Sequence, residues 1–270
     1  MFPMLFLIIL AVLILLYLLL LRGCTGHKDL PELRKWSYAH RGLHSTGIPE
    51  NSLAAFAAAK NAGYGMELDI HLMKDGNLAV IHDGSLLRTA GADVKIETLT
   101  AEELKNYRLE GTEEKIPLFT EVLELIRGEV PLIVELKSQV DNYKALCETA
   151  CKQLDAYKGP YCIESFDPRC IRWLRKNRSD IVRGQLTQNY FLHKVQYPWV
   201  LQFALVSQIF NAFTKPDFVA YCFAERKSLS NFLCRKLWKM QGVAWTIRSR
   251  EDFDTAINEG WIPIFENFTP

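Results

Sequence analysis

Charge is missing from the first 21 residues, MFPMLFLIILAVLILLYLLLL. The run holds about the 20 apolar residues that a helix needs to cross a bilayer. No basic stretch precedes it and no small-x-small site comes after it, so it reads as an uncleaved anchor rather than a signal peptide. LRGC at 21–24 has the outline of a lipoprotein signal, but Arg22 stands where such signals carry a small or uncharged residue. Excess charge of one sign is also missing: 32 basic residues face 31 acidic ones, which argues against a nucleic-acid surface. Cysteine is sparse and unpaired in pattern, with 7 residues, an odd number, and no CxxC. Cys147 and Cys151 have no partner set for zinc and read as core. No glycine-rich phosphate loop, internal repeat or low-complexity tract is present.

Arg22, Lys28, Arg34 and Lys35 lie just after the apolar run and no Lys or Arg precedes it. The positive-inside rule then places the rest of the chain on the cytoplasmic side, as a single-pass membrane protein. Residues 1–22 are read as anchor, 23–35 as juxtamembrane linker and 36–270 as one domain.

Strand-like and helix-like segments alternate from residue 36 onward, the pattern of an α/β fold with a parallel sheet. The strands are WSYAH (36–40), 65–72 with a return arm, PLIVELK (131–137), YCIESF (161–166), IVRGQL (181–186), DFVAYCF (217–223), GVAWTI (242–247) and WIPIFEN (261–267). Asn51-Ser52 open a short alanine-rich helix that Gly63 closes, Thr100 caps AEELKNY, and Thr120 starts EVLELIR. Further helices are expected at 141–155, 168–177, 228–240 and 250–259. Counting the return arm as an excursion leaves eight parallel strands, which predicts a TIM (β/α)8 barrel over a doubly wound sheet.

The stretch GMELDIHLMKDGNLAVIHD, 65–83, concentrates the chemistry. Alternation puts Glu67, Asp69 and His71 on one face. The Asp75-Gly76 turn signals a hairpin, and a two-residue loop sets Asp69 opposite His82. Other strand ends add His40-Arg41, Glu135 and Lys137, Ser165-Phe166, Trp245, and Glu266-Asn267. In a barrel these ends share one mouth, where active sites form.

These residues resemble the signature of the glycerophosphodiester phosphodiesterase family: HRG (40–42), PEN (49–51), ExD (67–69), a DG turn and HD (82–83), with ELK (135–137), ESFD (164–167) and AWTIR (244–248) in order behind them. The resemblance spans nearly all of 36–270 and points to a membrane-anchored, bacterial-type member. It implies a TIM barrel of the phospholipase-C-like type that hydrolyses phosphodiesters with one divalent cation, Mg²⁺ or Ca²⁺. Carried over, Glu67, Asp69 and Glu135 match metal ligands, and His40 and His82 match catalytic histidines. Arg41 and Lys137 match phosphate contacts, and Trp245 the aromatic beside the alcohol group. ENFTP at the tail departs from the family ending, and Asn267 there stands where the family carries Asp. His44 is read as a loop residue, His71 as structural, and Asn51 as a cap.

The implied activity cleaves a glycerophosphodiester to glycerol phosphate and an alcohol. Lysophospholipase D or sphingomyelinase D-like activity on membrane lipids is the enzymatic alternative, and a catalytically silent, tethered binding barrel the alternative of another class. Residues 197–213, YPWVLQFALVSQIFNAF, read as one helix. Trp199, Phe203, Val206, Phe210 and Phe213 make one apolar stripe, suited to covering the barrel, and Leu201, Leu205 and Ile209 another. The plainer expectation is burial of both against the barrel and neighbouring loops. The alternative rests the outer side on the bilayer as a second membrane contact.

Overall fold

The computed structural model describes residues 2–139 and 141–270. Nine strands occur among them: β1 (Tyr38–Ala39), β2 (Gly65–Leu72), β3 (Leu78–Val80), β4 (Leu132–Leu136), β5 (Tyr161–Ser165), β6 (Val182–Thr187), β7 (Phe218–Cys222), β8 (Gln241–Ile247) and β9 (Trp261–Phe265). Tyr38 pairs with Gly65 on one side and with Ile264 on the other, so the parallel strands close into a ring. β3 lies outside that ring, antiparallel to β2. The eight-stranded barrel is therefore present, with the hairpin arm as its one excursion among the described residues.

Alternation along each strand sorts side chains between the barrel interior and the surrounding helices. On the inside, Tyr38, Ile133, Cys162, Val243 and Ile264 belong to one apolar cluster low in the barrel. Two residues further along the same strands stand His40, Glu135, Glu164, Trp245 and Glu266. A period of two thus stacks a polar layer directly on an apolar plug. Gly65 has to be small here: a Cβ would meet the Tyr38 ring at 2.8 Å.

The outward residues Leu68, Ile70, Val134 and Ile163 pack on helices in the larger cluster. In the helix Phe119–Ile126, the buried side chains Phe119, Val122 and Ile126 fall on one face. Burying each contributes about 1.5–3 kcal/mol. The helix Leu53–Asn61 begins where Ser52 accepts a hydrogen bond from the Ala55 amide at 3.1 Å. Asn51 does not share in that cap; its side chain turns into the barrel mouth.

The hairpin register differs from the expected one. Met73 donates to the Asn77 carbonyl at 2.9 Å, Ile70 pairs with Val80, and a three-residue loop, Lys74-Asp75-Gly76, joins the arms. Gly76 sits at φ 85°, the left-handed residue that such loops require. Asp69 therefore lies opposite Ile81, whose amide donates to its carbonyl at 3.0 Å, and not opposite His82. β3 ends at Val80, and the chain beyond it is free to return His82 to the mouth.

Residues 197–213 also depart from expectation. The helix stops at Val206, Gln208 takes φ 56°, and a separate turn covers Asn211–Thr214. Leu205 is buried, while Trp199, Val200 and Phe203 are 72%, 58% and 58% exposed. The two stripes are split rather than sorted. Trp199, Phe203 and Phe213 of the first are exposed while Phe210 lines a groove at the mouth. In the second, Leu205 is buried while Leu201 is 36% exposed. Both faces are apolar, so hydropathy carried no information about which one turns in.

The helix Phe2–Leu20 contains an 18-residue stretch of mean hydropathy 3.1, long and apolar enough to cross a membrane. Its C-terminal end is fastened to the barrel. Tyr17 Oη donates to the Ser207 carbonyl at 3.3 Å, Trp238 Nε1 to the Leu18 carbonyl at 2.8 Å, and Asn211 Nδ2 to the Leu21 carbonyl at 3.2 Å. Leu30 and Leu33 are buried in the apolar cluster low in the barrel, and Tyr38 Oη donates to the Leu33 carbonyl at 2.9 Å.

Candidate active site

Glu67 and Asp69 come from β2 and Glu135 from β4, with Asp69 and Glu135 paired across the ladder. All three are buried, and each offers a carboxylate oxygen within 4.8 Å of the others. Lys137 Nζ reaches Asp69 Oδ1 at 3.1 Å and Glu135 Oε1 at 2.8 Å. Arg41 Nε lies 3.6 Å from Asp69 Oδ2, and the Arg41 amide donates to Glu67 Oε2 at 3.0 Å.

Two cations do not neutralise this cluster. Burial, helped by the charges of Asp69 and Glu135, pushes the Glu67 pKa well above its ordinary value. Burial likewise raises Glu135 to about 7, against the pull of Lys137. Asp69 is the exception. Burial pushes it up, but Lys137, His82 and Arg41 together hold it well below the usual carboxylate range. Glu164 on β5 stands beside Glu135 in the ladder, and burial, then Glu135 and Asp69, keep its pKa well above normal. The pocket thus has more carboxylate than cation, and protons make up part of the difference. An all-oxygen donor set with such a surplus fits a hard divalent cation such as Mg²⁺ or Ca²⁺.

A histidine stands on each side of the carboxylates. His40 Nδ1 is paired with Glu266 Oε2, and its Nε2 lies 3.9 Å from Glu67 Oε2. His82 Nδ1 is paired with Asp83 Oδ1 at 2.6 Å. Each ring therefore has one nitrogen engaged by a carboxylate at its back. Burial is the main cause that lowers both pKa values, His82 to about 4. The second of the paired residues in the His82-Asp83 motif is thus the brace for the first.

A chain of ion pairs links the two sides. Arg41 Nη1 donates to Glu50 Oε1 at 2.9 Å, Arg88 Nη2 to the same oxygen at 2.6 Å, and Arg88 Nε to Asp83 Oδ2 at 2.6 Å. Asn51 Nδ2 donates to Asp69 Oδ2 at 2.9 Å. Asn51 is buried and sits at φ 56°, a left-handed conformation that Asn tolerates better than most residues.

His40, Arg41, Glu67, His82, Glu135 and Trp245 line a single cavity of about 160 Å³. Asp69 and Lys137 join them through the ion pairs above. All eight residues singled out from sequence therefore meet at one mouth. Trp245 lines that cavity, and its buried Nε1 has no hydrogen-bond partner. His71 is apart: Nδ1 meets Glu97 Oε1 at 2.9 Å and Nε2 the His82 carbonyl at 3.2 Å, so it supports the loop. His44 Nε2 stands 3.8 Å from Glu266. Asn267 is exposed and does not line the 160 Å³ cavity.

Sequence reasoning misses three supports. It places Glu266 at the mouth without a partner, although a carboxylate two residues beyond the buried Ile264 has to face inward. It explains Asn51 as a cap because the neighbouring Ser52 is one. Glu164 gives no signal beyond its alternation with Ile163.

The sequence pattern of the glycerophosphoryl diester phosphodiesterase family matches residues 40–269. The chain belongs to this family. A phosphodiesterase of Caldanaerobacter subterraneus is 30% identical over 238 residues, covering 82% of this chain and 89% of its own. A lysophospholipase D of Rattus norvegicus is 33% identical over 133 residues, covering 44% of this chain and 41% of its own. Among solved structures, an Oleispira antarctica phosphodiesterase in complex with sn-glycerol-3-phosphate superposes with TM-score 0.71 at 23% identity, over 86% of this chain and 92% of that one. The phosphodiesterase described here is accordingly a phosphoric diester hydrolase on a TIM barrel.

Proposed function

We propose that this phosphodiesterase hydrolyses glycerophosphodiesters to glycerol phosphate and an alcohol, with Glu67, Asp69 and Glu135 holding one Mg²⁺ or Ca²⁺. The observation that carries the reading is the pair of carboxylate-braced histidines, His40–Glu266 and His82–Asp83, on either side of a carboxylate cluster. A divalent ion there would polarise the phosphoryl oxygen and lower the pKa of a coordinated hydroxyl.

The chain's own residues do the rest. Arg41 and Lys137 face the charge that accumulates on the phosphate oxygens. One histidine takes the proton of the attacking water as its oxygen bonds to phosphorus. The other gives a proton to the alcohol oxygen as its bond to phosphorus breaks. Each transfer is worth about 10²–10⁴-fold. Both histidines are held neutral in the metal-free pocket, so either can act as base, and binding of the anionic diester favours the protonated form of its partner. Trp245 offers its ring to the alcohol side of the substrate.

The helix Phe2–Leu20 is proposed to span the membrane, with Arg22, Lys28, Arg34 and Lys35 keeping the barrel on the cytoplasmic side. Protease protection in sealed vesicles checks that orientation. The catalytic reading is tested on the full chain in detergent against a panel of glycerophosphodiesters, with and without EDTA. Phosphate-ester release that EDTA abolishes and Mg²⁺ or Ca²⁺ restores is expected. Equal release after exhaustive chelation refutes the metal assignment, and no release from any diester refutes the activity.

A further inference from the structure

Among the described residues, one further trio of ligating side chains stands outside the catalytic pocket: His193, Cys222 and Glu225. Each offers one ligand atom, and the three atoms lie within 4.8 Å of one another. Their origins are separate. Cys222 ends β7, Glu225 ends the 3₁₀ helix Phe223–Glu225 that follows it, and His193 comes from the loop after β6. In a 3₁₀ turn the side chains at i and i+3 eclipse. The stretch CFAE, 222–225, therefore sets the thiol and the carboxylate on one side.

The loop after β6 is shaped to complete that arrangement. The Asn189 amide donates to Glu225 Oε2 at 2.6 Å, and its side-chain oxygen accepts from the amides of Phe191 and Leu192 at 3.2 and 3.3 Å. The chain, turned back in this way, brings His193 Nε2 to 2.7 Å from Glu225 Oε1. One carboxylate oxygen is thus braced by a backbone donor, as outer partners brace the ligands of metal sites, and the other meets the imidazole. An ion pair alone needs no thiol beside it. The His193 side chain is 42% exposed and that of Glu225 only 14%, so the trio opens to solvent on the imidazole side. Cys222 pairs with Trp245 in the ladder, yet none of the three lines the 160 Å³ cavity.

We propose that His193, Cys222 and Glu225 bind a Zn²⁺ ion, which fastens the loop after β6 to the end of β7. The donor set decides the class of ion. Mixed nitrogen, sulfur and oxygen ligands suit a borderline transition metal, whereas the all-oxygen carboxylate cluster suits Mg²⁺ or Ca²⁺, so the two sites select different ions. Ligand atoms around tetrahedral Zn²⁺ stand roughly 3.3–3.6 Å apart, and shifts of about 1 Å close the trio to that spacing. Binding takes the thiolate and releases the Cys222 proton, and water fills the fourth position on the open side. Tyr190, three residues before His193, lines a groove that also holds His82 and Glu135. The ion therefore steadies one wall of the mouth.

The full chain in detergent, with Mg²⁺ in excess, is titrated with Co²⁺ as a spectroscopic stand-in for Zn²⁺. A thiolate ligand gives Co²⁺ a sulfur charge-transfer band in the near ultraviolet, and the catalytic carboxylate cluster holds no sulfur to produce one. A single equivalent of that band, bleached by added Zn²⁺, is expected. The near-isosteric Cys222→Ser should abolish it, and His193→Ala, at an exposed position, should weaken binding at least about tenfold. Cys24→Ser, at the other thiol that solvent reaches, should change nothing. No band, or a band that either Cys222→Ser or His193→Ala leaves undiminished, overturns the site. Zn²⁺ should also slow tryptic cleavage after the exposed Lys194 in the unaltered chain and not in His193→Ala. Cleavage indifferent to Zn²⁺ overturns the fastening of the loop.

Discussion

Asn51 is the most exacting place to perturb the site, because it touches neither substrate nor the reacting groups. Its Nδ2 donates to Asp69 Oδ2 at 2.9 Å, and its own amide donates to the Arg41 carbonyl at 2.9 Å. Two contributions separate by substitution. A buried hydrogen bond to a charged group is worth about 1.5–3 kcal/mol. The left-handed backbone, φ 56°, costs most residues with a Cβ about 1–2 kcal/mol, whereas Asn bears little of that cost and glycine almost none. Asn51→Ala should therefore destabilise the chain by roughly 2.5–5 kcal/mol and Asn51→Gly by about 1.5–3 kcal/mol. Metal affinity should fall equally in both, about 10–100-fold, since both leave Asp69 unsteadied. Denaturant unfolding in detergent gives the stabilities and calorimetric titration with Mg²⁺ or Ca²⁺ the affinities. Equal stability of the two variants refutes the backbone argument. Unchanged metal affinity in both refutes the claim that Asn51 orients Asp69.

Glu135, raised to about 7 in the metal-free pocket, must release its proton to bind a cation, so affinity should fall up to about tenfold per pH unit below 7. Calorimetry in buffers of different ionisation enthalpy should show that proton release, and an affinity flat from pH 5.5 to 8 contradicts it. The folded pKa of Glu135 exceeds its unfolded value, so its stabilising effect on the metal-free chain is complete below about 4.5 and fades as pH rises through about 7. Thermal melts with and without metal should diverge most above pH 7. His40→Ala and His82→Ala should each lower kcat about 10²–10⁴-fold with little change in KM. His71→Ala should cost stability and less than about tenfold in kcat, because its partners are Glu97 and the backbone carbonyl of His82, not the His82 ring; a loss equal to that of His82→Ala would place His71 in the chemistry. Glu266→Gln keeps the shape but removes the charge behind His40, and a pH–rate profile identical to that of the unaltered chain would show that the pairing plays no part.

Alternation and punctuation made the barrel legible. A two-residue period put an inward polar residue two places beyond each inward apolar one, and that rule holds in any closed parallel sheet. It located His40, Glu67, Asp69, Glu135, Lys137 and Trp245 without a single distance. What it did not determine were the matters that depend on where separate segments meet. The hairpin loop took three residues rather than two, because Gly76 accepts a left-handed conformation that makes the longer loop available, and the register moved by one. His82 reached the mouth all the same, through the free chain beyond Val80. Asn51 left its role as a cap for Asp69, 18 residues away, and Glu266 found His40 across the closing seam of the barrel, where strand order brings the ends of the domain together. Within Trp199–Val206 it is Leu205 that turned inward, just ahead of Ser207 and Asn211, where the N-terminal helix is fastened. A sequence apolar on both sides states how much surface must be covered, but only tertiary packing selects which side covers the barrel and which meets the surroundings.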